Sequence, residues 1–464
     1  MDRVRFVTFG CKANQYDTQV LREALLRRGW RESGAEGGPT EADLVVVNTC
    51  TVTAEAGRKA RQLVRRLARE NPRTKIAMTG CLAESEPELL RELPGVEWVL
   101  GNGEAKRPVN FLRELGHAVD PEELGIPAGI TEFTGHTRAF LKIQDGCDMA
   151  CAFCIIPKVR GRSTSRPAEE LAAEVRRLLL AGHVEVVLCG IHIGHWGRDL
   201  GLDLAELLER LCAVEVPSAS GEALDWRLRL SSIEATEVTE RVLDVMEAHP
   251  RRIAPHLHMP MQSGSDAVLA AMNRWYDVAE YLAACERIRA RLDRPAFTAD
   301  VLVGFPGEGE AEFEETLRSV RAAGFTRIHV FPFSPRPGTA AAEAGRPPLP
   351  PPERVRERRA LLAETAHALG QAYARSLAGL TETVVLEGSA GLCGRYQRVS
   401  VPSTWLPAGA LPAPVDVTLE VRERAASTGR EASIELIGRP LARPHAAPER
   451  RRTKSSSPTL ELHA

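Results

Sequence analysis

The stretch that decides how this 464-residue chain folds is Gly146-Cys147-Asp148-Met149-Ala150-Cys151-Ala152-Phe153-Cys154. Three cysteines stand at spacings of four and three, with an aromatic before the last. Thiolates this close in one loop suit a single soft metal centre. Three protein ligands leave a fourth position open, which fits a cubane iron–sulfur cluster with one free iron. A structural zinc normally takes four ligands, typically as two pairs, and no fourth Cys or His lies nearby in sequence. Free cysteines are also common as small core hydrophobes, but Gly146 and the polar Asp148 make a loop here rather than a core strand.

A strand-like run at 139–144 delivers this loop. Behind it, 157–167 carries Lys158, Arg160, Arg162 and Arg166, and Pro167 followed by Glu169 and Glu170 marks a helix start that Gly182 stops. Further strand-like runs lie at 184–188, 226–230, 256–259, 297–303 and 327–331, with helical patterns between them, as at 279–292 and 310–323. Parallel βα repeats of this kind predict a full or partial β/α barrel over 137–375, with its active site at the carboxyl ends of the strands. The Cys147 loop follows the first strand and so lands at that mouth. Gly190 and His192, Glu234, Gln262 to Ser265 and Asp300 follow other strands, although a polar residue there is often only a helix cap. His256 and His258 sit in one strand, one of them expected to face the interior, and neither is expected to bind metal. Cys189, Cys212 and Cys285 fall inside strand or helix patterns and are expected in the core. The turn at 303–308 is expected to be structural.

Upstream, residues 1–115 show apolar runs at 4–9, 44–47 and 75–79, with helical patterns at 18–28 and 57–70. Alternation of this kind predicts an open parallel sheet. Cys11, Cys50 and Cys81 each stand just past one of these strands. That edge of an open α/β sheet is where ligands bind, so three thiols 39 and 31 residues apart in sequence are expected to converge on a second metal site. In the helix after Cys50, Ala60, Leu63, Val64 and Leu67 form the apolar stripe. Arg58, Lys59, Arg61, Arg65, Arg66 and Arg69 gather on the other face, a candidate for phosphate contact.

Residues 116–136, rich in Gly, Pro and Thr, suggest a linker. After a proline run at 347–352 and a helix at 353–376, short β-like runs at 383–387, 398–402, 415–420 and 433–437 predict a small all-β barrel over 376–440. Arg395, Tyr396 and Arg398 offer an aromatic between cations, which suits base stacking as well as an ordinary strand pair. The tail 441–464, with Arg450, Arg451, Arg452, Lys454 and a serine run, is expected to be disordered.

Composition limits the alternatives. The net charge of −2 gives no global basic field, so any nucleic-acid site is a local patch, and 5% aromatics limits base stacking. Ten cysteines over this length are too sparse for a disulfide scaffold. No long apolar leader and no membrane-length run is visible, and a reducing, cytoplasmic setting without a membrane partner is expected.

The CxxxCx(aromatic)C loop at Cys147 resembles the signature of the radical S-adenosylmethionine (SAM) enzymes. With the three upstream cysteines, the chain apart from its tail resembles their methylthiotransferases, which join an N-terminal cluster domain, a radical SAM barrel and a C-terminal TRAM RNA-binding domain. Gly10-Cys11-Lys12-Ala13-Asn14-Gln15 and Val47-Asn48-Thr49-Cys50-Thr51-Val52-Thr53 are similar to the branch that modifies threonylcarbamoyladenosine in tRNA. The isopentenyladenosine branch has Gln rather than Lys after the first cysteine.

The resemblance implies two [4Fe–4S] clusters, one on Cys147, Cys151 and Cys154 that binds SAM, one on Cys11, Cys50 and Cys81 that carries sulfur. It implies that Phe153 lies beside the SAM adenine, that Gly190 lets backbone approach the SAM methionine, and that Glu234 or Asp300 binds a ribose. It further implies a tRNA anticodon loop as substrate, a low-potential donor such as flavodoxin or ferredoxin, and a sulfur source. The competing readings are methylthiolation of another tRNA adenosine or of a ribosomal protein, and a non-enzymatic, metal-stabilised RNA-binding protein.

Overall fold

A computed structural model of the chain describes residues 2–33, 42–119, 127–218, 221–343, 345, 347–402, 404, 414–424 and 433–441. The run Leu44–Thr49 is buried at every residue, as expected of an inner strand covered on both faces. It is β3 of a five-stranded parallel sheet with β1 (Arg3–Thr8), β2 (Arg31–Glu32), β4 (Lys75–Gly80) and β5 (Val96–Leu100), ordered β2-β1-β3-β4-β5. The sequence shows only the three inner strands. Both missed strands are edges, one only two residues long and the other half-exposed, so neither has a long apolar run.

The order of the sheet reverses between β1 and β3, the switch point where doubly wound sheets bind ligands. Helices α1 (Lys12–Arg27), α2 (Ala54–Glu70) and α3 (Cys81–Ser85) follow β1, β3 and β4. The first helix begins earlier than its apolar pattern suggests, because its first turns bury the polar Asn14 and Asp17.

The central strands are β6 (Ala139–Lys142), β9 (Glu185–Cys189), β10 (Arg227–Leu230), β11 (His256–His258), β12 (Ala296–Val303) and β13 (Arg327–Pro332). Two parallel three-stranded sheets, β10-β9-β6 and β11-β12-β13, join through bridges Leu228–Ile253 and Ser232–His258. The result is a partial barrel of six strands that stays open between β6 and β13. Helix α1 packs against β6, where the Tyr16 hydroxyl donates to Glu174 at 2.9 Å. A short antiparallel pair, β7 (Gln144–Asp145) with β8 (Thr164–Ser165), pinches the base of the cysteine loop. His256 and His258 share a face, as positions two apart in a strand must. Both reach the Thr298 hydroxyl, at 3.0 and 2.9 Å, which corrects the expectation that only one points inward.

Strands β14 (Thr381–Leu386), β15 (Ala390–Cys393), β16 (Arg398–Ser400), β17 (Pro414–Arg424) and β18 (Ser433–Pro440) close into a barrel. It is anchored through buried Arg227 and Arg229, which pair with buried Glu185 at 2.6 and 2.8 Å and donate to the carbonyls of Thr383, Leu392, Cys393 and Gly394. This anchoring corrects the base-stacking expectation. Arg395 is buried, and Tyr396 stacks on His256 at 4.5 Å beneath the Arg229 guanidinium, so neither is presented to a partner. The tail from 442 onward lies outside the described residues. Among the described residues no helix is long and apolar enough to cross a membrane.

Candidate metal centres at the barrel mouth

Cys11 is the N-cap of α1, Cys50 follows β3, and Cys81 opens α3. Gly10 has φ +99°, and a Cβ there would lie 2.7 Å from that of Cys50, so only glycine lets the β1 and β3 loops close on each other. Buried Asn14 ties them together: its Nδ2 donates to the carbonyls of Phe9 (2.8 Å) and Thr49 (2.9 Å), while Asn48 donates to the carbonyl of Asn14 (2.8 Å). The three thiols lie within one another's field. Burial, reinforced by Cys11 and Cys81, pushes the Cys50 thiol up to about 12.

The second set sits in the loop after β6. Gly146 has φ +71°, and any side chain there would collide with the Arg162 carbonyl. The Ala152 N–H donates to the carbonyl of Met272 at 2.8 Å, and Asn273 Nδ2 donates to that of Ala150 at 2.7 Å. Arg274 donates to Cys151 Sγ at 3.2 Å and to Glu234 at 2.6 Å. Cys147 Sγ lies 3.6 Å from His192 Nδ1, and the other nitrogen of that ring is 2.9 Å from Glu237. Burial alone would lower the His192 pKa, but the bonds to Cys147 and Glu237 outweigh it and raise it to about 9.

The two sets meet. Cys81 packs with Ile155, Ile156 and Val159, against which Cys147 and Cys154 also pack. Arg160, at the end of the helix Ile156–Arg160, donates to Cys81 Sγ at 3.4 Å and to Asp145 at 2.7 Å, and it also binds Asn14 and Asp17. Asp17 takes Lys106 at 2.8 Å and Lys142 as further partners. Burial would raise the Asp17 pKa, yet these three cations hold it far below the carboxylate range.

The donor chemistry separates one metal type from another. Among the described residues, the set of three potential ligands whose atoms all lie within 4.8 Å of one another is His192, His195 and Glu237. Neither cysteine set is that compact, whereas a tetrahedral zinc with Zn–S bonds of about 2.3 Å would draw its sulfurs to about 3.8 Å. Three thiols that share one electrostatic environment at wider spacing suit a cubane, whose irons take one ligand each at separate corners. The histidine–carboxylate set is already satisfied internally, and the Arg198 guanidinium 3.5 Å from Glu237 opposes a cation there.

The other expected residues fall around the mouth. Phe153 meets Phe305 edge-on at 6.5 Å. Gly190 lies against Gln144, whose side-chain oxygen accepts from the N–H groups of Ile191 and His192. The Glu234 carboxylate is engaged by Arg274, and Asp300 lies 3.4 Å from His258. On α2, Arg58 and Lys59 pair with Glu55, and Arg61 with Glu86, which leaves Arg65, Arg66 and Arg69 as its exposed cations without a carboxylate partner among the described residues. Sequence reading assigns Arg160, Arg274, Asn14 and Glu237 no role in the site. Their one signal is a polar residue beside a cysteine motif or strand end.

A six-stranded partial barrel with a CxxxCxxC loop after its first strand defines a radical SAM enzyme. Residues 141–320 match the model of the Radical SAM superfamily, and residues 3–101 match that of Uncharacterized protein family UPF0004. The chain is 39% identical over 356 residues to the threonylcarbamoyladenosine tRNA methylthiotransferase MtaB of Bacillus subtilis (strain 168), covering 74% of this chain and 76% of the relative. It is 37% identical over 361 residues to a tRNA-2-methylthio-N(6)-dimethylallyladenosine synthase of Cereibacter sphaeroides, covering 74% and 78%. The solved structure of the radical S-adenosylmethionine methyltransferase TsrM from Kitasatospora setae aligns with a TM-score of 0.50 at 15% identity, over 84% of this chain and 82% of that one, a likeness of fold. The chain belongs to the MtaB-like radical SAM methylthiotransferases. The cofactors of this family are SAM and two [4Fe–4S] clusters.

Proposed function

We propose that the chain converts N6-threonylcarbamoyladenosine beside the tRNA anticodon to its 2-methylthio derivative. In this reading Cys147, Cys151 and Cys154 hold the SAM-binding cluster, and Cys11, Cys50 and Cys81 hold the cluster that carries sulfur. The observation that carries it is the meeting of the two thiol sets across the helix Ile156–Arg160. A substrate bound where the two sets meet would face both. When bound, the first cluster and SAM supply a carbon radical able to take hydrogen from adenine C2, a C–H bond inert to ordinary acid–base groups.

The chain's own residues organise the cleft. Arg274 and Arg160 each aim a permanent positive charge at a thiol, and Ile155, Ile156 and Val159 form the apolar packing that Cys81 shares with Cys147 and Cys154. Phe153, Gly190, Glu234 and Asp300 border the space for SAM. The choice of threonylcarbamoyladenosine rests on the Gly10–Gln15 and Val47–Thr53 motifs together with the named relative, because the dimethylallyladenosine enzyme is almost as similar overall. The reading brings with it a low-potential electron donor of the flavodoxin or ferredoxin kind, a sulfur source and a cytoplasmic setting.

The test uses two variants and nucleoside mass spectrometry. Cys151→Ala abolishes SAM cleavage. Cys50→Ala continues to release 5′-deoxyadenosine but makes no methylthio nucleoside. SAM cleavage by the first variant, or methylthio product from the second, sinks the assignment of the two sites.

A further inference from the structure

The barrel leaves an aromatic ring uncovered at its open flank. Strand β13 is the end strand of β11-β12-β13 and borders the gap that faces β6. Side chains alternate along a strand. Ile328 and Val330 turn toward the surrounding helices and pack on the principal core. His329 and Phe331 therefore stand on the inner face, in register with Asp300 and Leu302 of β12. Core packing does not account for Phe331, whose surface is 41% exposed.

Leu302 fixes the height of this ring. It joins the apolar cluster of Ala152, Met272 and Phe305, against which Phe153 also packs, so its neighbour Phe331 lies level with the cysteine loop. One tier deeper, the His329 ring runs nearly parallel to that of Phe331, with 29° between the planes and 6.3 Å between centroids. His258 follows at 6.2 Å from His329. The same face carries the Thr298 hydroxyl and the Asp300 carboxylate, 2.9 and 3.4 Å from His258. An apolar ring thus stands at the mouth above a set of hydrogen-bonding groups.

The strand itself is poorly suited to receive a further strand. Arg327 and Pro332, at its two ends, are exposed, and a charge and a proline are devices that keep an edge from pairing with another chain. A ligand for the inner face needs a flat apolar surface for Phe331 and polar edges for the groups below it. A nucleobase has both, whereas an acyl chain has no polar edge. Unpaired bases are commonly held by stacking on an aromatic side chain. We propose that Phe331 stacks on the adenine to be modified, presented unpaired by the anticodon loop, and holds it at the barrel mouth. This rests on the function proposed above and adds the residue that positions its substrate base.

The test is a cycle of one protein change and one RNA change, read by fluorescence anisotropy on the cluster-loaded enzyme under anaerobic conditions. One anticodon stem–loop carries threonylcarbamoyladenosine at the target position, and in the other that position is abasic. Phe331→Ala binds the first RNA about tenfold more weakly, the effect of losing one base–aromatic stack. Phe331→Tyr, which keeps a ring, binds it like the wild type. The wild type loses a similar factor on the abasic RNA, and Phe331→Ala loses nothing further there. Unchanged affinity in Phe331→Ala overturns the proposal, as do losses that multiply when the two changes are combined. So do a wild type indifferent to the missing base and a Phe331→Tyr enzyme as weak as Phe331→Ala. Methylthio product from the wild type is scored separately. Product without coupling refutes the role of Phe331 alone, while coupling without product upholds the stack and refutes the proposed reaction.

Discussion

Substituting Asp17 by Asn should loosen the junction between the N-terminal sheet and the barrel. The Asp17 side chain is 5% exposed and meets Lys106 at 2.8 Å and Arg160 at 3.3 Å, with Lys142 as a third partner. Asp145 completes the group at 2.7 Å from Arg160 and 2.9 Å from Lys142. Two carboxylates thus face three cations, an excess of one positive charge; Asp17→Asn makes the excess two. Removing one partner from a buried ion network costs about 3–5 kcal/mol, because the charges left behind remain desolvated.

Native-state proteolysis measures this cost, since cleavage of the opened form tracks the opening free energy when reclosing is fast. The double variant Asp17→Asn/Lys142→Met restores the original excess and should recover at least about 1 kcal/mol relative to the sum of the single variants. Release of Arg160 should also make the buried Cys81 open to alkylation. A single variant within about 0.5 kcal/mol of wild type, or strict additivity in the cycle, would refute the electrostatic account.

Two further outcomes follow from the same reasoning. His136 is packed on Phe133 at 5.0 Å, its Nε2 has no partner, and burial, with Arg22 and Arg138 adding, lowers its pKa to about 4. The unfolded chain takes up this proton near pH 6.5 and the folded chain only near 4, so stability falls with pH across that window, by about 3 kcal/mol at most. His136→Phe should flatten the fall in unfolding midpoint between pH 6.5 and 4, and an unchanged acid limb would count against it. On α2, reversing Arg65, Arg66 and Arg69 should weaken tRNA binding and lower its salt slope by about two to three. Reversing Arg58, Lys59 and Arg61, which have carboxylate partners, should do less, and equal effects would show that α2 is not the contact.

What was legible in the sequence follows from how far each signal extends along the chain. Inner strands such as Leu44–Thr49 are covered on both faces and appear as uninterrupted apolar runs. Edge strands such as Arg31–Glu32 are short and half-exposed and leave no such run. The cysteine at 147 announces its partners at 151 and 154 because one loop supplies them all. Cys11, Cys50 and Cys81 were found by a rule about strand ends rather than by spacing. Arg160 and Arg274 carry no comparable pattern, since a lone arginine after a loop looks like any solvated cation until the fold brings a thiol and a carboxylate to it. Tyr396 failed in the opposite direction: an aromatic between cations suggested an RNA surface, but the cation that covers it comes from β10, 167 residues away in sequence.

Those two arginines set the fixed charge beside the two thiol sets. Each guanidinium touches one thiol of one set and is held by carboxylates, Arg160 by Asp17 and Asp145 and Arg274 by Glu234. An arginine cannot lose its proton in this setting, so the positive charge is present whether the thiol is neutral or ionised. Burial works against the thiolates that an iron site needs, pushing Cys50 and Cys154 up to about 12. A fixed cation beside Cys151 works against that burial, although burial still prevails and raises the thiol, and another stands 3.4 Å from Cys81. The carboxylates in turn keep each guanidinium from being a buried, unpaired charge. Arg160 ties the two sets together, since it donates to Cys81 while Asp145, at the base of the Cys147 loop, holds it, so the charge balance of one set is shared with the other.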